Sequence, residues 1–168
     1  MSKFLSIILI LFFCFTSISQ TKEDALRDAK ITSKATLNSD FKIVIKHTYP
    51  PIVKIMGGKE NAVSFIEKTF KDMKTQGFTF EKAEVVSVSE IVKEQGEYRC
   101  FVKNNNQMVM SGQRIKSESY LLGIYNEADK FWYFIEAKQL ANPAISQILP
   151  NFKTELVIPQ GKISTEKL

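Results

Sequence analysis

The spacing of apolar residues changes once along this chain, after Gly77, and this change constrains the fold more than any other feature. The stretch before it carries apolar residues at three- and four-residue steps: Val63, Ile66, Phe70 and Met73. Such spacing predicts an amphipathic helix, whereas the alternation that follows Gly77 predicts strands with one buried face. The connections between these strands are short, so neighbouring strands run antiparallel. We therefore expect an α+β fold, with helices first and an antiparallel sheet of four or more strands after them.

Three helices are expected before the sheet. The first covers Thr21 to Asn38 and points its charged residues, Asp28 among them, towards solvent. The second begins at Asp40, whose carboxylate can accept the free amides of a first turn. It is kinked or broken by Pro50-Pro51, which lack amide hydrogens. The third covers Lys59 to Gln76, and all three are expected to pack on the sheet.

The strands are expected at Phe78 to Val88, Tyr98 to Lys103, Met108 to Met110, Gln113 to Tyr125 and Phe131 to Ile135. Two of the turns between them are Asn104 to Asn106 and Ser111-Gly112. Gly123 lies inside an apolar strand, where glycine weakens pairing, so we expect a bulge or bend that curves the sheet. In the tail, Pro143 can start a short helix, and Ser164 to Leu168 is expected to fray.

The first 19 residues have the layout of a secretory signal peptide. Lys3 precedes an apolar run, Phe4 to Phe15, and small residues around Ser19 suit a cleavage site. We expect cleavage after Ser19 and a mature protein that is periplasmic or extracellular. An uncleaved anchor is the alternative, but the apolar run is short for a membrane span. Lipidation at Cys14 is disfavoured, because bulky phenylalanines precede it where small residues are needed.

After cleavage we expect one domain over residues 20–138, with a C-terminal extension over residues 139–168 that packs on it. Basic residues outnumber acidic ones, 23 to 18, but the two kinds are interspersed. Nucleic-acid binding requires a basic cluster, so no nucleic-acid partner is expected. Cys100 is the only cysteine that remains and can form no internal disulfide. Its alternation with Tyr98 and Val102 predicts that it is buried and unreactive.

The residue sets of the common catalytic and metal sites are missing from the sequence. His47 is the only histidine, so we predict no metal and no cofactor. A serine triad would have to use His47, and no nucleophile-elbow pattern accompanies it. The Gly57-Gly58-Lys59 segment is too short for a phosphate-binding loop, and the end of a helix explains it better.

An acid–base enzyme would need a carboxylate in its cavity, and three acids are candidates. Asp40 is explained as a helix cap. Glu118 faces solvent if Leu121 faces the core. Glu136 ends a strand beside Lys138, where a surface ion pair is expected. We therefore favour a protein without catalytic activity.

Four local motifs stand out along the chain: Asp40-Phe41, Thr48-Tyr49-Pro50, Met56-Gly57-Gly58-Lys59-Glu60 and Phe131-Trp132-Tyr133-Phe134-Ile135. They are similar to motifs in a group of uncharacterised exported bacterial proteins. The order of elements, three helices followed by a bent antiparallel sheet, resembles the nuclear transport factor 2-like superfamily, also called SnoaL-like or cystatin-like. The resemblance implies a curved sheet that wraps around the long helix and leaves a conical cavity. It implies no activity, because the superfamily holds isomerases, dehydratases, binding domains and interaction modules.

Two hypotheses for the function remain open. The first is an exported, non-catalytic domain that binds a small apolar ligand or a protein partner, either in the cone or on the sheet face, where a second copy could also pair with it as a homodimer. The second is a small isomerase- or hydratase-like enzyme that uses the same cavity. The candidate ligand-binding residues are His47, Tyr49, Tyr98, Tyr120 and Trp132.

The strand Phe131 to Phe134 carries aromatic residues on both of its faces. One face must pack on the helices. The other is either an exposed surface for a partner or is covered by the C-terminal tail. We favour coverage, by the apolar residues Ile145, Ile148 and Leu149.

Overall fold

The computed structural model describes residues 21–143, 145–148 and 150–168. The expected signal peptide and its cleavage site lie outside this range, as does Leu149. Within it, no helix is both long enough and apolar enough to cross a membrane.

Helices come first and strands follow, as the change of spacing predicts. The helices before the sheet are α1 (Lys22–Leu37), α2 (Phe41–Lys46), α3 (Pro50–Ile55) and α4 (Lys59–Thr75). The strands are β1 (Thr79–Val88), β2 (Val92–Glu94), β3 (Glu97–Met110), β4 (Gln113–Asn126), β5 (Phe131–Glu136) and β6 (Lys162–Lys167). A 3-10 helix (Ala137–Ala141) and the short helix α5 (Ile145–Ile148) lie between β5 and β6.

The described part of the chain has four helices before the sheet, where the sequence analysis expects three. The expected second helix is in fact two, because residues 47–49 leave the helix and pair with β5. The amide of Phe134 donates to the carbonyl of His47 at 2.7 Å, and the amide of Tyr49 donates to the carbonyl of Phe134 at 3.3 Å. Pro50 and Pro51 occupy the first positions of α3. A missing amide hydrogen is harmless there, since those amides have no partner inside the helix.

The sheet is antiparallel throughout, as expected, and its strand order is β1-β3-β4-β5. Strand β2 also pairs with β3, and β6 also pairs with β4. The two long central strands are joined at Ser111-Gly112, where both residues have positive φ. The predicted hairpin turn at this position is confirmed.

Two expectations inside the sheet are wrong. Asn104 to Asn106 form no turn but lie within β3, opposite Ser117 to Ser119 of β4. Gly123 forms no bulge, since it pairs in register with Cys100. A Cβ atom at Gly123 would lie 3.0 Å from the Cys100 Sγ and 3.2 Å from a ring carbon of Trp132. Close packing therefore requires glycine at this position.

The C-terminal end is paired rather than frayed. Lys162 to Lys167 form β6, and the amide of Leu168 donates to the carbonyl of Gly112 at 3.0 Å. The side chains of β6 are all exposed, which is why apolar spacing does not reveal this strand. Backbone hydrogen bonds to the otherwise free edge of β4 hold it in place.

The core has one part on each face of the sheet and a third among α2, α3 and α4, at Ile45, Val53 and Ala62. Under α1, Ala25 and Ala29 pack on a cluster that includes Cys100, Val102, Trp132 and Phe134. On the opposite face, Leu122, Ile124 and Ile135 are covered by Tyr49, Ile52, Leu140, Phe152, Leu156 and Ile158. Residues 152–158 of the tail thus cover this face at Leu122, Ile124 and Ile135, whereas the aromatic residues Phe131 and Tyr133 border a concavity beside α2 and α3. Ile145 instead borders a groove between the helices and the end of β5.

Candidate functional site

A groove of about 530 Å³ opens where α1, α2 and the start of α3 meet β4, the end of β5 and the 3-10 helix. Its apolar lining comprises Val44, Ile52, Leu121, Phe134, Ile135 and Ile145. Its polar lining includes Thr32, Thr36, His47, Thr48, Glu136 and Gln139. Two other concavities of similar size, about 540 and 580 Å³, are each bordered by three lysines. The groove differs from them in combining apolar walls with a half-buried carboxylate, and we take it as the candidate site.

His47 is the predicted site residue that lines the groove. It is 4 % exposed, and its Nδ1 lies 2.9 Å from the carbonyl oxygen of Trp132. A carbonyl can only accept, so Nδ1 carries the hydrogen and donates it. In the neutral ring Nε2 is then an acceptor. The ring also packs edge-on against Phe131, with centroids 5.0 Å apart. His47 therefore ties α2 to β5 and at the same time forms part of the groove wall.

Asp28 completes the same tie from α1. It is 3 % exposed, and its Oδ2 accepts the amide of Trp132 at 2.9 Å. The sequence analysis places Asp28 on the solvent face of its helix, which is wrong. The sequence does contain a signal for the burial of Asp28. This residue lies three residues after Ala25 and directly before Ala29, on the buried stripe of α1.

Glu136 is the carboxylate of the groove. It lies at the end of β5, paired across the sheet with Leu121. Burial raises the pKa of its carboxyl group, and the charge of Lys138 only partly offsets that effect. The expected ion pair with Lys138 is absent, and no hydrogen bond or ion pair reaches the carboxylate from any described residue. Glu136 is thus a half-buried acid without a partner within the described chain.

The other four predicted residues lie away from the groove. Tyr49 packs over Leu122 and its neighbours on the opposite face, and Trp132 is fully buried beneath α1. Tyr98 stacks edge-on with Tyr125, 6.5 Å between ring centroids, at the far end of β3. These side chains are not brought together into one site.

Tyr120 belongs to a polar cluster on the opposite face of the sheet. Its hydroxyl donates to Glu118 Oε1 at 2.8 Å, and Lys103 Nζ lies 2.6 Å from the other oxygen of the same carboxylate. The lysine and the tyrosine both hold the pKa of Glu118 below its usual range. Glu118 is therefore an ion-paired surface acid, in contrast to Glu136.

The lining provides recognition more readily than catalysis. Among the described residues, the groove contains no tyrosine and no second acid to work with Glu136. Cys100 is fully buried, and burial raises its pKa to about 12, so it supplies no nucleophile. No group of three or more metal-ligating side chains occurs within the described range.

Comparison with known proteins adds no relative to this description. No protein-family model, no curated protein and no solved structure matches the chain. The chemistry of the groove must therefore be inferred from its own residues.

Proposed function

We propose that this protein is an exported, non-catalytic binding domain whose groove holds a small, largely apolar molecule. The observation that carries the proposal is the groove itself, about 530 Å³ in volume, whose lining combines six apolar with seven polar residues. Concave sites of this size and composition are typical of small-molecule binding. Export rests on the signal-peptide pattern of residues 1–19, and N-terminal sequencing of the mature protein, expected to begin at Gln20, tests it.

We also propose that the groove corresponds to the conical cavity of the nuclear transport factor 2-like superfamily. Two features support this assignment. Helix α1, 16 residues long, crosses one face of the sheet, where its Ser33 hydroxyl donates to the carbonyl of Ala83 at 2.8 Å. The groove opens beside the same helix, at Thr32 and Thr36.

Ligand retention tests the binding function directly. Protein purified without denaturation is analysed by native mass spectrometry, and we expect a bound small molecule. Ile145→Trp places a large side chain at the border of the groove and should abolish retention. Ile163→Trp is the matched control, since Ile163 is 72 % exposed on β6. Equal retention by the two variants would contradict a site in the groove.

A second candidate function is an isomerase- or hydratase-like enzyme, and Glu136 is the observation that favours it. A carboxyl group with a pKa raised by burial suits proton transfer near neutral pH. Its test uses the retained molecule, incubated with the protein in deuterated water. Deuterium incorporation into carbon that depends on Glu136, and is lost in Glu136→Gln, would establish catalysis. Binding without incorporation supports the non-catalytic function.

A further inference from the structure

The hydroxyl groups that line the groove donate their hydrogens to backbone carbonyls of the protein. Thr32, Thr36 and Thr48 each donate to the backbone carbonyl four residues earlier, at 2.9, 3.0 and 2.9 Å. A hydroxyl has a single hydrogen to donate but two lone pairs. While these bonds are kept, the three oxygens can only accept hydrogen bonds from a ligand.

The carboxylate of Glu136 and the imidazole of His47 also offer acceptors to a ligand. Glu136, when ionised, can only accept. His47 donates through Nδ1 to the Trp132 carbonyl, so Nε2 accepts whenever the ring carries a single hydrogen. The side-chain donors among the described lining residues are the amides of Gln139 and Asn142. The groove is thus rich in acceptors and poor in donors.

The charge of the lining also favours a ligand that donates hydrogen bonds. Glu136 is its one carboxylate, and no lysine or arginine is among its described residues. Lys138 is exposed and lies outside the lining, and it makes no ion pair with Glu136 within the described chain. The carboxylate of Glu136 is half-buried beside Leu121 and Phe134 and has no donor among the described residues, which costs free energy. A positively charged group of a ligand would offset this cost.

We propose that the ligand of the groove is an apolar amine, bound through its ammonium group by the carboxylate of Glu136. The inference rests on the proposed binding function and names its ligand class. An ammonium group supplies three hydrogens and a positive charge, which suit a carboxylate surrounded by acceptor oxygens. An anionic ligand would face Glu136 with no lysine or arginine in the described lining to balance it. The apolar body of the ligand lies against Leu121, Phe134 and Ile145.

Three probes that differ mainly in the head group test this inference: 2-phenylethylamine, 2-phenylethanol and 3-phenylpropanoate. Their dissociation constants are measured by NMR titration at neutral pH, with full-length mature protein freed of retained ligand. We expect the amine to bind about tenfold or more tightly than the alcohol, because charge-assisted hydrogen bonds are roughly twice as strong as neutral ones. The carboxylate should bind more weakly than the alcohol.

The variant Glu136→Gln keeps the shape of the side chain and removes its charge. It should lose the preference for the amine and still bind the alcohol, which separates recognition from a general structural effect. Glu118→Gln, on the opposite face of the sheet, should keep the preference.

The possible binding results test the ligand class and the binding function separately. Equal binding of amine and alcohol, or an amine preference that persists in Glu136→Gln, would overturn the inference and leave the groove as a binding site. Binding of no probe would overturn the inference, and retention that is unaffected by Ile145→Trp would separately overturn the proposed function.

Discussion

Asp28 and Trp132 are joined across the interface between α1 and the sheet by a buried hydrogen bond, in which the Trp132 amide donates to Asp28 Oδ2 at 2.9 Å. The carbonyl of the same residue accepts from His47. Strand β5 is paired on one side with β4, so the backbone groups of its other side need partners. Two side chains from two helices supply them at Trp132, and this fixes the helices over the strand that borders the groove.

Removal of the Asp28 carboxylate should therefore destabilise the fold. Asp28→Ala leaves the Trp132 amide buried without a partner, and we expect a loss of about 1–3 kcal/mol in the free energy of unfolding. Asp28→Asn keeps an acceptor oxygen and should lose less. Urea unfolding followed by circular dichroism measures both. The control is Asp72→Ala, which removes an exposed partner of Lys68 and should change stability by about 0.5 kcal/mol or less.

Glu136 and Glu118 should affect stability with opposite signs. Burial raises the pKa of Glu136 above its ordinary value of 4.5, so its stabilising effect is complete below that value and is lost as pH rises through the folded-state pKa. Glu136→Gln should therefore raise the melting temperature at neutral pH and have little effect in acid. The pKa of Glu118 is lowered, chiefly by Lys103, so its contribution is present at neutral pH and disappears as pH falls.

Glu118→Gln should thus lower the melting temperature at neutral pH. The melting temperatures of the two variants are compared by thermal unfolding between about pH 4 and pH 7. The range begins near pH 4 because carboxyl groups in unfolded chains titrate there. A lower melting temperature for Glu136→Gln at neutral pH would show that Glu136 has a stabilising partner.

Arg99 should hold the tail over the sheet. Its side chain is almost fully buried, its Nη1 donates to the carbonyl of Lys153 at 2.8 Å, and its guanidinium lies 4.7 Å from the ring centroid of Phe152. Loss of a hydrogen bond from a charged group costs about 1.5–3 kcal/mol. We expect Arg99→Ala to increase amide hydrogen exchange in residues 151–158 selectively.

A matched variant is available on β4. Arg114 binds Glu81 and Glu166, so Arg114→Ala should increase exchange in β6 and leave residues 151–158 unchanged. Hydrogen exchange followed by mass spectrometry resolves the two segments. Identical exchange patterns in the two variants would contradict a local role for Arg99.

The two prolines should contribute little to the folded structure. Because Pro50 and Pro51 begin α3, alanine fits both positions without strain. Replacement of both should lower the free energy of unfolding by about 1 kcal/mol per residue at most, through the greater freedom of the unfolded chain. A larger loss in chemical denaturation would show that the prolines shape the connection to β5.

Cys100 should react with thiol reagents only after the protein opens. It is fully buried, and its pKa is raised to about 12 by burial, so the thiolate is scarce and shielded at neutral pH. Labelling with a chromogenic disulfide should be slow in native buffer and rapid in urea. Fast labelling of the folded protein would contradict this assignment.

Local chemistry in the sequence determined the features that depend on a few neighbouring residues. Asp40 caps α2 through the amide of Ile43, and Ser111-Gly112 turns the chain between the two long strands. The change of spacing after Gly77 predicts the order of helices and strands. The burial of Cys100 follows from its alternation with Tyr98 and Val102. In each case the physical cause acts within one turn or one strand.

The tertiary structure alone decided the features that depend on a distant partner. Asn104 to Asn106 favour a turn in isolation, but β4 supplies hydrogen bonds that keep them in a strand. The sequence of β6 has no apolar pattern, because its side chains are all exposed. Backbone pairing with β4 is what holds this strand in the sheet. Glu136 lies two residues from Lys138 in sequence, yet its surroundings come from α1, α2 and β4. The groove arises where these segments meet, and no pattern within any single one of them reveals it.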